Sequence, residues 1–221
     1  KWYTIQYFRF QPIAGDSMDL IRPITFEYAS YLRDESRRVG NAESISFPRT
    51  EEEVQDILAH CHEHDLPVTV QGARTGLAGA ASPDGGHILN LSRMNRVLGC
   101  RVDQGTFLLT VQPGVALSQL RKMIAQRKFD TRDWSKESIE ALSQLARSAE
   151  QFFAPDPTET TATLGGMVAC NASGARSYMY GATRGYIRSL TLVLADGRKV
   201  HMARGEQKAV GRRLSVNADG G

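Results

Sequence analysis

The segment 153–197, FAPDPTETTATLGGMVACNASGARSYMYGATRGYIRSLTLVLADG, places small residues, hydroxyl side chains and one asparagine between two apolar runs. A buried core does not require that composition. Its glycines let the backbone approach a flat or charged ligand closely, and its threonines and Ser173 offer short hydrogen-bonding groups in the same place. We interpret the segment as a wall around a large cofactor. The glycines are Gly165, Gly166, Gly174, Gly181 and Gly185.

Three motifs in this segment resemble the flavin-binding region of the FAD-linked oxidase family typified by vanillyl-alcohol oxidase and p-cresol methylhydroxylase. Asp156-Pro157 is similar to the family's PDP turn, the stretch TLGGMVA at 163–169 to its TIGG helix start, and NASG at 171–174 to its NASG motif. The most similar branch is that of the D-2-hydroxy-acid dehydrogenases, including D-lactate dehydrogenase, and glycolate oxidases. The resemblance covers residues 31–205 and implies an α+β fold, a two-lobed FAD-binding domain with small mixed sheets flanked by helices.

The resemblance also implies roles for individual residues of the segment. Those expected to line the isoalloxazine ring and ribityl chain are Thr163, Gly165, Gly166, Ala169, Asn171, Gly174, Tyr180 and Gly181, with Asp156, Pro157 and Ala172 also in the cofactor site and Ile187 meeting the adenine through its backbone. A helix that opens at Gly165-Gly166 is expected to present unpaired N–H groups to the ligand. The alternative is that the GG and NASG pairs pack a helix tightly on a sheet.

A second glycine-rich stretch, QGARTGLAG at 71–79, follows directly on the apolar run that ends at Val70. Three glycines in eight residues favour an anion nest suited to a diphosphate, and an ordinary glycine-rich turn is the alternative. The spacing is neither GxGxxG nor a P-loop, which argues against a Rossmann site and ATP hydrolysis. The resemblance implies that FAD pyrophosphate is held by Gly72, Ala73, Arg74, Thr75, Gly76, Leu77 and Gly79, with Arg74 alternatively a surface charge.

The mode of flavin attachment follows from the same loop. Some members of the family carry a histidine there that bonds covalently to the flavin, whereas this chain has Thr75 or a neighbour in its place. The resemblance therefore implies noncovalent FAD. Pro113-Gly114 is similar to the family's PGV turn before a helix and belongs to the predicted site, although a plain strand-to-helix turn is the favoured interpretation over direct contact with FAD.

The remaining patterns alternate between short strands and helices. Thr50 with Glu53 predicts a helix start and a helix to His64, and a second helix is predicted over 117–126. Strands are predicted at 66–70, 88–91 and 107–111, an entry strand at 31–36 and 45–48, and a hairpin around Asp196-Gly197. The polar stretch 131–151 is interpreted as an inserted surface helix before a strand-like Phe152-Phe153. The predicted division is an N-terminal arm at 1–26, a first lobe at 27–114, a second lobe at 115–205 and a tail at 206–221.

Composition excludes several classes of protein. The 221 residues carry a formal net charge of only +3 without a basic stripe among aromatics, which argues against nucleic-acid binding. No apolar run is long enough for a transmembrane helix. Three widely spaced cysteines and the lack of a recognisable secretory signal predict a cytoplasmic protein, or one peripheral to a membrane. We expect Cys170 to be a small buried filler, and His60, His62 and His64 to mark a helix end rather than a metal site.

These observations predict the FAD-binding portion of an oxidoreductase acting on CH–OH groups. The substrate class implied by the resemblance is a D-2-hydroxy acid of the lactate, glycolate or 2-hydroxyglutarate type, bound through a substrate domain expected to be absent from this chain. No catalytic residue is assigned. The alternatives are a flavin-binding or docking module for an electron acceptor or companion subunit, with 1–10 and 131–151 as docking surfaces, and a fold that has lost its cofactor.

Overall fold

The computed structural model describes residues 20–219, and the docking surface predicted at residues 1–10 lies outside them. A four-stranded sheet opens the described chain, in the order β1-β2-β4-β3. Its strands are β1 (Arg22–Pro23), β2 (Ser44–Ser46), β3 (Val68–Gln71) and β4 (His87–Asn90). Strands β2 and β3 both pair with β4 in parallel, while β1 is antiparallel to β2. Parallel strands need a crossover, and helix α1 (Glu51–Glu63) supplies the one between β2 and β3.

Helix α1 begins where the sequence predicts. The Thr50 side chain accepts a hydrogen bond of 3.2 Å from the Glu53 N–H, and Glu51, Glu52 and Glu53 lie in the first turn. Negative charge there is favoured by the helix dipole. The apolar stripe of α1 packs with Leu89 and Met94 in a first core, and its buried members are Val54, Ile57, Leu58 and Cys61.

The second part of the chain is built on antiparallel hairpins. Strands β5 (Val97–Asp103) and β6 (Thr106–Val111) form one hairpin, and β7 (Ser189–Val193), β8 (Lys199–Ala203) and β9 (Ala218–Asp219) form a three-stranded sheet. The predicted turn at Asp196-Gly197 is confirmed, with Gly197 at φ 83°. The helices of this part are α2 (Leu117–Gln126), α3 (Lys136–Arg147), α4 (Leu164–Ala169) and α5 (Ser177–Tyr180).

A second core joins this part together. It consists of residues from β5, α2, α4 and the turns before both helices: Val97, Val115, Leu117, Leu120, Ala162, Leu164 and Met167. Two separate cores agree with an α+β arrangement of two lobes, and the predicted fold class is confirmed. The boundaries predicted for the arm, lobes and tail stay a prediction, although Arg22–Pro23 of the predicted arm is a strand of the first sheet.

The structure differs from the predicted elements at three places. Phe152 and Phe153 are not in a strand, because each ring packs on a tyrosine instead, Tyr180 and Tyr186 respectively, with centroids 5.7 Å apart in both pairs. The first half of the expected entry strand, 31–36, is not a strand: its first two residues end the 3-10 turn Phe26–Leu32, and a turn follows at 35–36. Strand β5 was not predicted, because a glycine, a cysteine and two charged residues obscure its alternation.

The stretch 131–151 forms a helix as predicted, but α3 is more than a surface element. Ala141 and Leu145 are buried, and the Ser138 hydroxyl accepts a hydrogen bond of 3.3 Å from the Cys100 N–H of β5. A methyl group placed on Gly99 would stand 2.9 Å from the same hydroxyl. Helix α3 therefore covers one side of the β5–β6 hairpin.

Candidate cofactor site

The loop 72–79, called the glycine loop below, is closed by one buried side chain. Gln71, the last residue of β3, donates hydrogen bonds of 2.7 Å from Nε2 to the carbonyls of Tyr31 and Ala81. Asn90, at the end of β4, donates from Nδ2 to Gln71 Oε1 at 3.3 Å and to the Gly72 carbonyl at 3.4 Å. Because both strands end at the same edge of the parallel sheet, their last side chains fix the start and the end of the loop.

A carboxylate supports the same loop from the segment before β2. Asp34, 7% exposed, accepts hydrogen bonds from the Ser36 backbone N–H and hydroxyl and from the Ala81 N–H. Burial alone would raise the pKa of Asp34, but the hydrogen bonds from Ser36 and Ala81 outweigh it, and the pKa lies below its usual value. The Glu35 N–H donates to the Arg74 carbonyl at 3.1 Å, so the segment also holds the middle of the loop.

The glycine loop is anchored by contacts at Arg74 and exposed at Gly76 and Leu77. Arg74 has a left-handed backbone, φ 59°, and its guanidinium lies 4.3 Å above the Tyr31 ring. It is therefore a half-buried cation rather than a free surface charge. Gly76 and Leu77 are exposed, and a methyl group placed on Gly76 would meet no atom within 4 Å. The tip of the loop thus leaves its backbone accessible.

Thr163, the N-cap of α4, is where three predicted parts of the site meet: the glycine loop, the Pro113-Gly114 turn and the TLGG stretch. A methyl group placed on Gly72 would stand 2.1 Å from Thr163 Oγ1, so the glycine loop touches the start of α4. Thr163 also forms an isolated bridge with Ala116, just after the Pro113-Gly114 turn. The predicted proximity of the glycine loop, the PGV-like turn and the TLGG stretch is present in the fold.

The start of α4 presents fewer free N–H groups than the sequence predicts. The Leu164 N–H donates to the Val115 carbonyl at 2.9 Å, and the Gly165 N–H donates to the Pro113 carbonyl at 2.8 Å. The expectation of an unpaired N–H group is wrong for Gly165, because the turn before α2 packs directly on it, and for Gly166 it stays a prediction. Helix α4 instead exposes its small residues Gly166 and Ala169, while Leu164 and Met167 face the core.

The glycines of the site divide between packing and open surface. Methyl groups on Gly114, Gly165 and Gly174 would meet Leu91 O at 2.3 Å, Pro113 Cβ at 2.6 Å and Asp156 O at 1.7 Å. Glycine is required at these three positions for close packing. For Gly165 and Gly174, packing is the alternative to ligand binding that the sequence leaves open. Gly76 and Gly181 have open space around them, and Gly166 is exposed. The second group leaves room for a ligand.

The other predicted site residues brace the loop around α5. Asp156 pairs with Arg121 at 2.8 Å and with Arg176 at 3.5 Å. Asn171 Oδ1 accepts from the Arg184 N–H at 3.0 Å, and the Ala172 carbonyl accepts from the buried Thr183 hydroxyl at 2.7 Å.

Backbone groups of α5 and of the turn after it are also engaged. The Tyr180 carbonyl accepts from the Tyr186 hydroxyl at 2.8 Å, and the Ile187 carbonyl from Arg204 Nε at 3.1 Å. The contacts predicted between these residues and FAD stay a prediction. Cys170 is exposed, so the interpretation of it as a buried filler is wrong: it is the C-cap of the short helix α4 and follows the exposed Ala169.

Four structural supports of the site were missed from the sequence: Asp34, Gln71, Asn90 and Thr183, all buried polar residues. A polar residue ending an apolar strand was the available signal for Gln71 and Asn90. His60 and His62 lie in the last turn of α1 and His64 is its C-cap, which agrees with the predicted helix end, and the His60 and His64 rings lie 4.2 Å apart with their planes tilted by 35°. Within residues 20–219, no group of three or more His, Cys, Asp or Glu side chains is arranged to hold a metal ion.

Comparison with known proteins agrees with this geometry. The model of a family described as "FAD binding domain" matches residues 42–135 and 137–203, most of the chain. The chain belongs to this FAD-binding domain family. D-lactate dehydrogenase of Anaerostipes hadrus is 36% identical over 175 residues, 78% of this chain and 32% of that protein. The glycolate oxidase subunit GlcD of Bacillus subtilis is 30% identical over 157 residues, 70% of this chain and 28% of that protein.

Solved structures show the same fold. Alkyldihydroxyacetonephosphate synthase superposes with a TM-score of 0.64 at 20% identity, over 85% of this chain and 36% of that one. The resemblance to FAD-linked oxidases and the predicted FAD-binding fold are thereby confirmed. This FAD-binding domain spans about a third of the length of the curated relatives it matches. No helix within residues 20–219 is both long and apolar enough to cross a membrane.

The residues present fit a flavin nucleotide. The glycine loop has an accessible backbone at Gly76, one half-buried guanidinium at Arg74 and closed ends, which suits a diphosphate. Helix α4 exposes only small side chains at Gly166 and Ala169, which suits a flat ring. Thr163 lies at the junction of the two.

Proposed function

We propose that this chain is the FAD-binding portion of an oxidoreductase that oxidises a D-2-hydroxy acid and that it binds FAD noncovalently. The observation that carries the proposal is the contact between Gly72 and Thr163, which joins the glycine loop to the exposed small-residue face of α4. A relative named D-lactate dehydrogenase and another named as a glycolate oxidase subunit support the substrate class. Substrates of the lactate, glycolate or 2-hydroxyglutarate type share a carboxylate beside the carbinol carbon.

The roles proposed for this chain are those that its described residues can perform. Bound FAD would supply the hydride-acceptor chemistry that oxidation of a carbinol carbon requires. The residues of this chain bind and orient it: the glycine loop for the diphosphate, and Thr163, Gly166 and Ala169 for the ring system. None of them is proposed as an acid or a base, so the group that removes the hydroxyl proton is assigned to a substrate domain in the whole enzyme.

Noncovalent attachment is supported by the side chains of the two ligand-facing segments. Neither the stretch 72–79 nor the stretch 163–174 contains a histidine or tyrosine, and Thr75 offers only a hydroxyl in the loop. Cys170 is the one strong nucleophile in either segment. A Cys170→Ser variant that still releases all of its flavin on denaturation, as the parent does, fits the proposal, whereas flavin that stays on the parent protein after denaturation contradicts it.

Titration of the purified chain with FAD tests the binding proposal directly. We expect quenching of flavin fluorescence and a perturbed visible spectrum in the parent, and weak binding in Gly166→Asp, which places a charge on the exposed face of α4. Gly166 is preferable to Gly165 for this purpose, because Gly165 packs against Pro113 and its replacement would disturb the fold. Ala125→Asp, which places the same charge on an exposed small residue of α2 outside the predicted site, is the matched control. No flavin binding by the parent would contradict the proposal.

We also propose a companion subunit or electron acceptor, because one relative is itself named as a subunit. The exposed Tyr178 and Met179 of α5, 104% and 77% exposed, provide an apolar surface beside the site. Co-purification of a second polypeptide that is lost in a Tyr178→Ser, Met179→Ser variant with unchanged flavin affinity supports a docking role. A cytoplasmic location, soluble or peripheral to a membrane, is proposed with it and is tested by fractionation of cells.

A further inference from the structure

Arg74 occupies an unusual place for a long charged side chain. Its backbone is left-handed, a conformation that L residues adopt at a cost, and its side chain is half-buried. Left-handed backbone alone does not single it out, since Arg37, Asp65, Gln104, Arg127 and Asn171 share it. Arg74 differs in where its charge lies: beside the predicted diphosphate loop, 4.3 Å above an aromatic ring.

The charge of Arg74 is not neutralised by a neighbouring carboxylate. The ion pairs found within residues 20–219 do not include it. Asp34, the buried acid of the adjoining segment, is already occupied by Ser36 and Ala81. An arginine on an aromatic face without a paired anion keeps its N–H donors available around the ring edge.

Tyr31, the aromatic partner, is itself firmly placed. Its ring packs edge-on against Phe47 with centroids 5.2 Å apart, and its carbonyl accepts the hydrogen bond from Gln71 that closes the glycine loop. The Arg74 carbonyl is held by the Glu35 N–H. Backbone and side chain of Arg74 are thus both anchored on the segment 31–36, which ties its position to that of the loop.

We propose that Arg74 is the residue that selects a diphosphate-bearing flavin over one without phosphate, and that Tyr31 is a positioning residue that holds the Arg74 guanidinium beside the glycine loop. The inference rests on the proposed function, because it assigns a role within the same site. A fixed guanidinium near a diphosphate forms charge-assisted hydrogen bonds that a flavin lacking phosphate cannot use. The left-handed backbone is retained because two independent contacts fix it.

The test compares ligands rather than activity. Dissociation constants for FAD, riboflavin and inorganic diphosphate are measured for the parent and for Arg74→Gly, Arg74→Gln, Tyr31→Leu and Tyr31→Phe. We expect both Arg74 variants to bind FAD and diphosphate about tenfold or more weakly, with riboflavin unchanged. Tyr31→Leu should lose part of the same preference, whereas Tyr31→Phe keeps it because the ring is retained.

Arg37→Gly is the matched control. Arg37 is also a left-handed arginine, φ 67°, but it is exposed and lies outside the glycine loop. We expect Arg37→Gly to leave the ratio of FAD to riboflavin affinity unchanged. Its change in melting temperature should be at least as large as that of Arg74→Gly. Arg74→Gln covers the case in which Arg74→Gly does not fold.

Two results separate this inference from the proposed function. A parent that prefers FAD to riboflavin while both Arg74 variants keep that ratio overturns the inference alone, as does a parent with no preference. A parent that binds neither FAD nor diphosphate overturns the proposed function and the inference with it.

Discussion

Gly72 and Thr163 approach so closely that a methyl group on the glycine would stand 2.1 Å from the threonine Oγ1. The two residues are 91 positions apart in the sequence, one in the loop after β3 and the other at the start of α4. Their contact therefore fixes the position of the first lobe's loop against the second lobe's helix. A cofactor that touches both segments depends on this distance.

Gly72→Ala should destabilise the protein and weaken FAD binding, because the new methyl group forces the glycine loop and α4 apart. Overpacking of this kind costs about 1–3 kcal/mol. Chemical denaturation and FAD titration measure the two effects. Gly76→Ala is the control for stability, since a methyl group there meets nothing within 4 Å, and we expect its free energy of unfolding to change by less than about 1 kcal/mol.

The double variant Gly72→Ala, Thr163→Ser tests whether the contact is specific. Removing only the Thr163 methyl leaves Oγ1 in place, so the loss should persist, whereas Gly72→Ala, Thr163→Ala should recover about half or more of it. Equal stability of both double variants would argue that the strain of Gly72→Ala is relieved elsewhere.

The sequence predicts the elements near this contact better than it predicts how they are supported. The capped helix α1, the helix α2 and the Asp196-Gly197 hairpin are local patterns, and each is found as expected. The glycine-rich loop and the TLGG stretch are recognisable as ligand-binding motifs. Their packing is not, because Gly165 and Gly166 look alike in sequence while one packs on Pro113 and the other is exposed.

The supports of the glycine loop escape sequence reasoning for a related reason. Gln71 bonds to carbonyls 40 and 10 positions away, and nothing in the local pattern of VTVQ marks the glutamine as buried. The exposure of Cys170 was likewise missed because a cysteine among small residues favours burial. Both outcomes are set by tertiary contacts rather than by periodicity.

Gln71→Leu is predicted to be among the more damaging single changes near the site. The part-buried carbonyls of Tyr31 and Ala81 would each lose a partner, at a cost of about 1–3 kcal/mol for each group left unsatisfied, and the buried Asn90 amide would keep only its bond to the Gly72 carbonyl. We expect lower stability together with a looser glycine loop, seen as faster proteolysis or hydrogen exchange over 72–81. The exposed Gln119 offers the control Gln119→Leu, for which we expect little change. An unaltered exchange rate in Gln71→Leu would contradict the role of Gln71 in closing the glycine loop.

Stability should fall with acidification between pH 6.5 and 4 because of His87. Burial, assisted by the charge of His60, lowers the pKa of His87 to about 4, while its ring bonds Ser44 Oγ at 2.8 Å and Ser46 Oγ at 2.7 Å. The unfolded chain, with a histidine pKa near 6.5, binds the proton more readily in this range. The stabilisation is complete above pH 6.5 and is lost as the pH falls toward 4. The free energy of unfolding should decrease by roughly 2 kcal/mol between pH 7.5 and 5.

Urea unfolding at several pH values measures this slope. His87→Gln should reduce stability at pH 7.5 but flatten its pH dependence, and His62→Gln, at an exposed position of α1, should leave the slope as it is in the parent. His60, whose pKa is lowered by burial and by His64, adds a smaller slope of the same sign. A parent whose stability does not change between pH 7.5 and 5 would rule out a neutral buried His87.

The three cysteines should differ sharply in reactivity, and this difference reports on the cofactor face. Cys61 and Cys100 are buried, and burial raises the pKa of Cys61 to about 11 and that of Cys100 above its usual value. Cys170 is exposed at the end of α4. A thiol-specific disulfide reagent should therefore label one thiol in the native chain and three after unfolding, and Cys170→Ser should abolish the native reaction.

If FAD lies against Gly166 and Ala169 as proposed, saturating FAD should slow the labelling of Cys170 severalfold, while free riboflavin in a Gly166→Asp background should not. Unchanged labelling at FAD saturation would place the flavin away from the α4 surface.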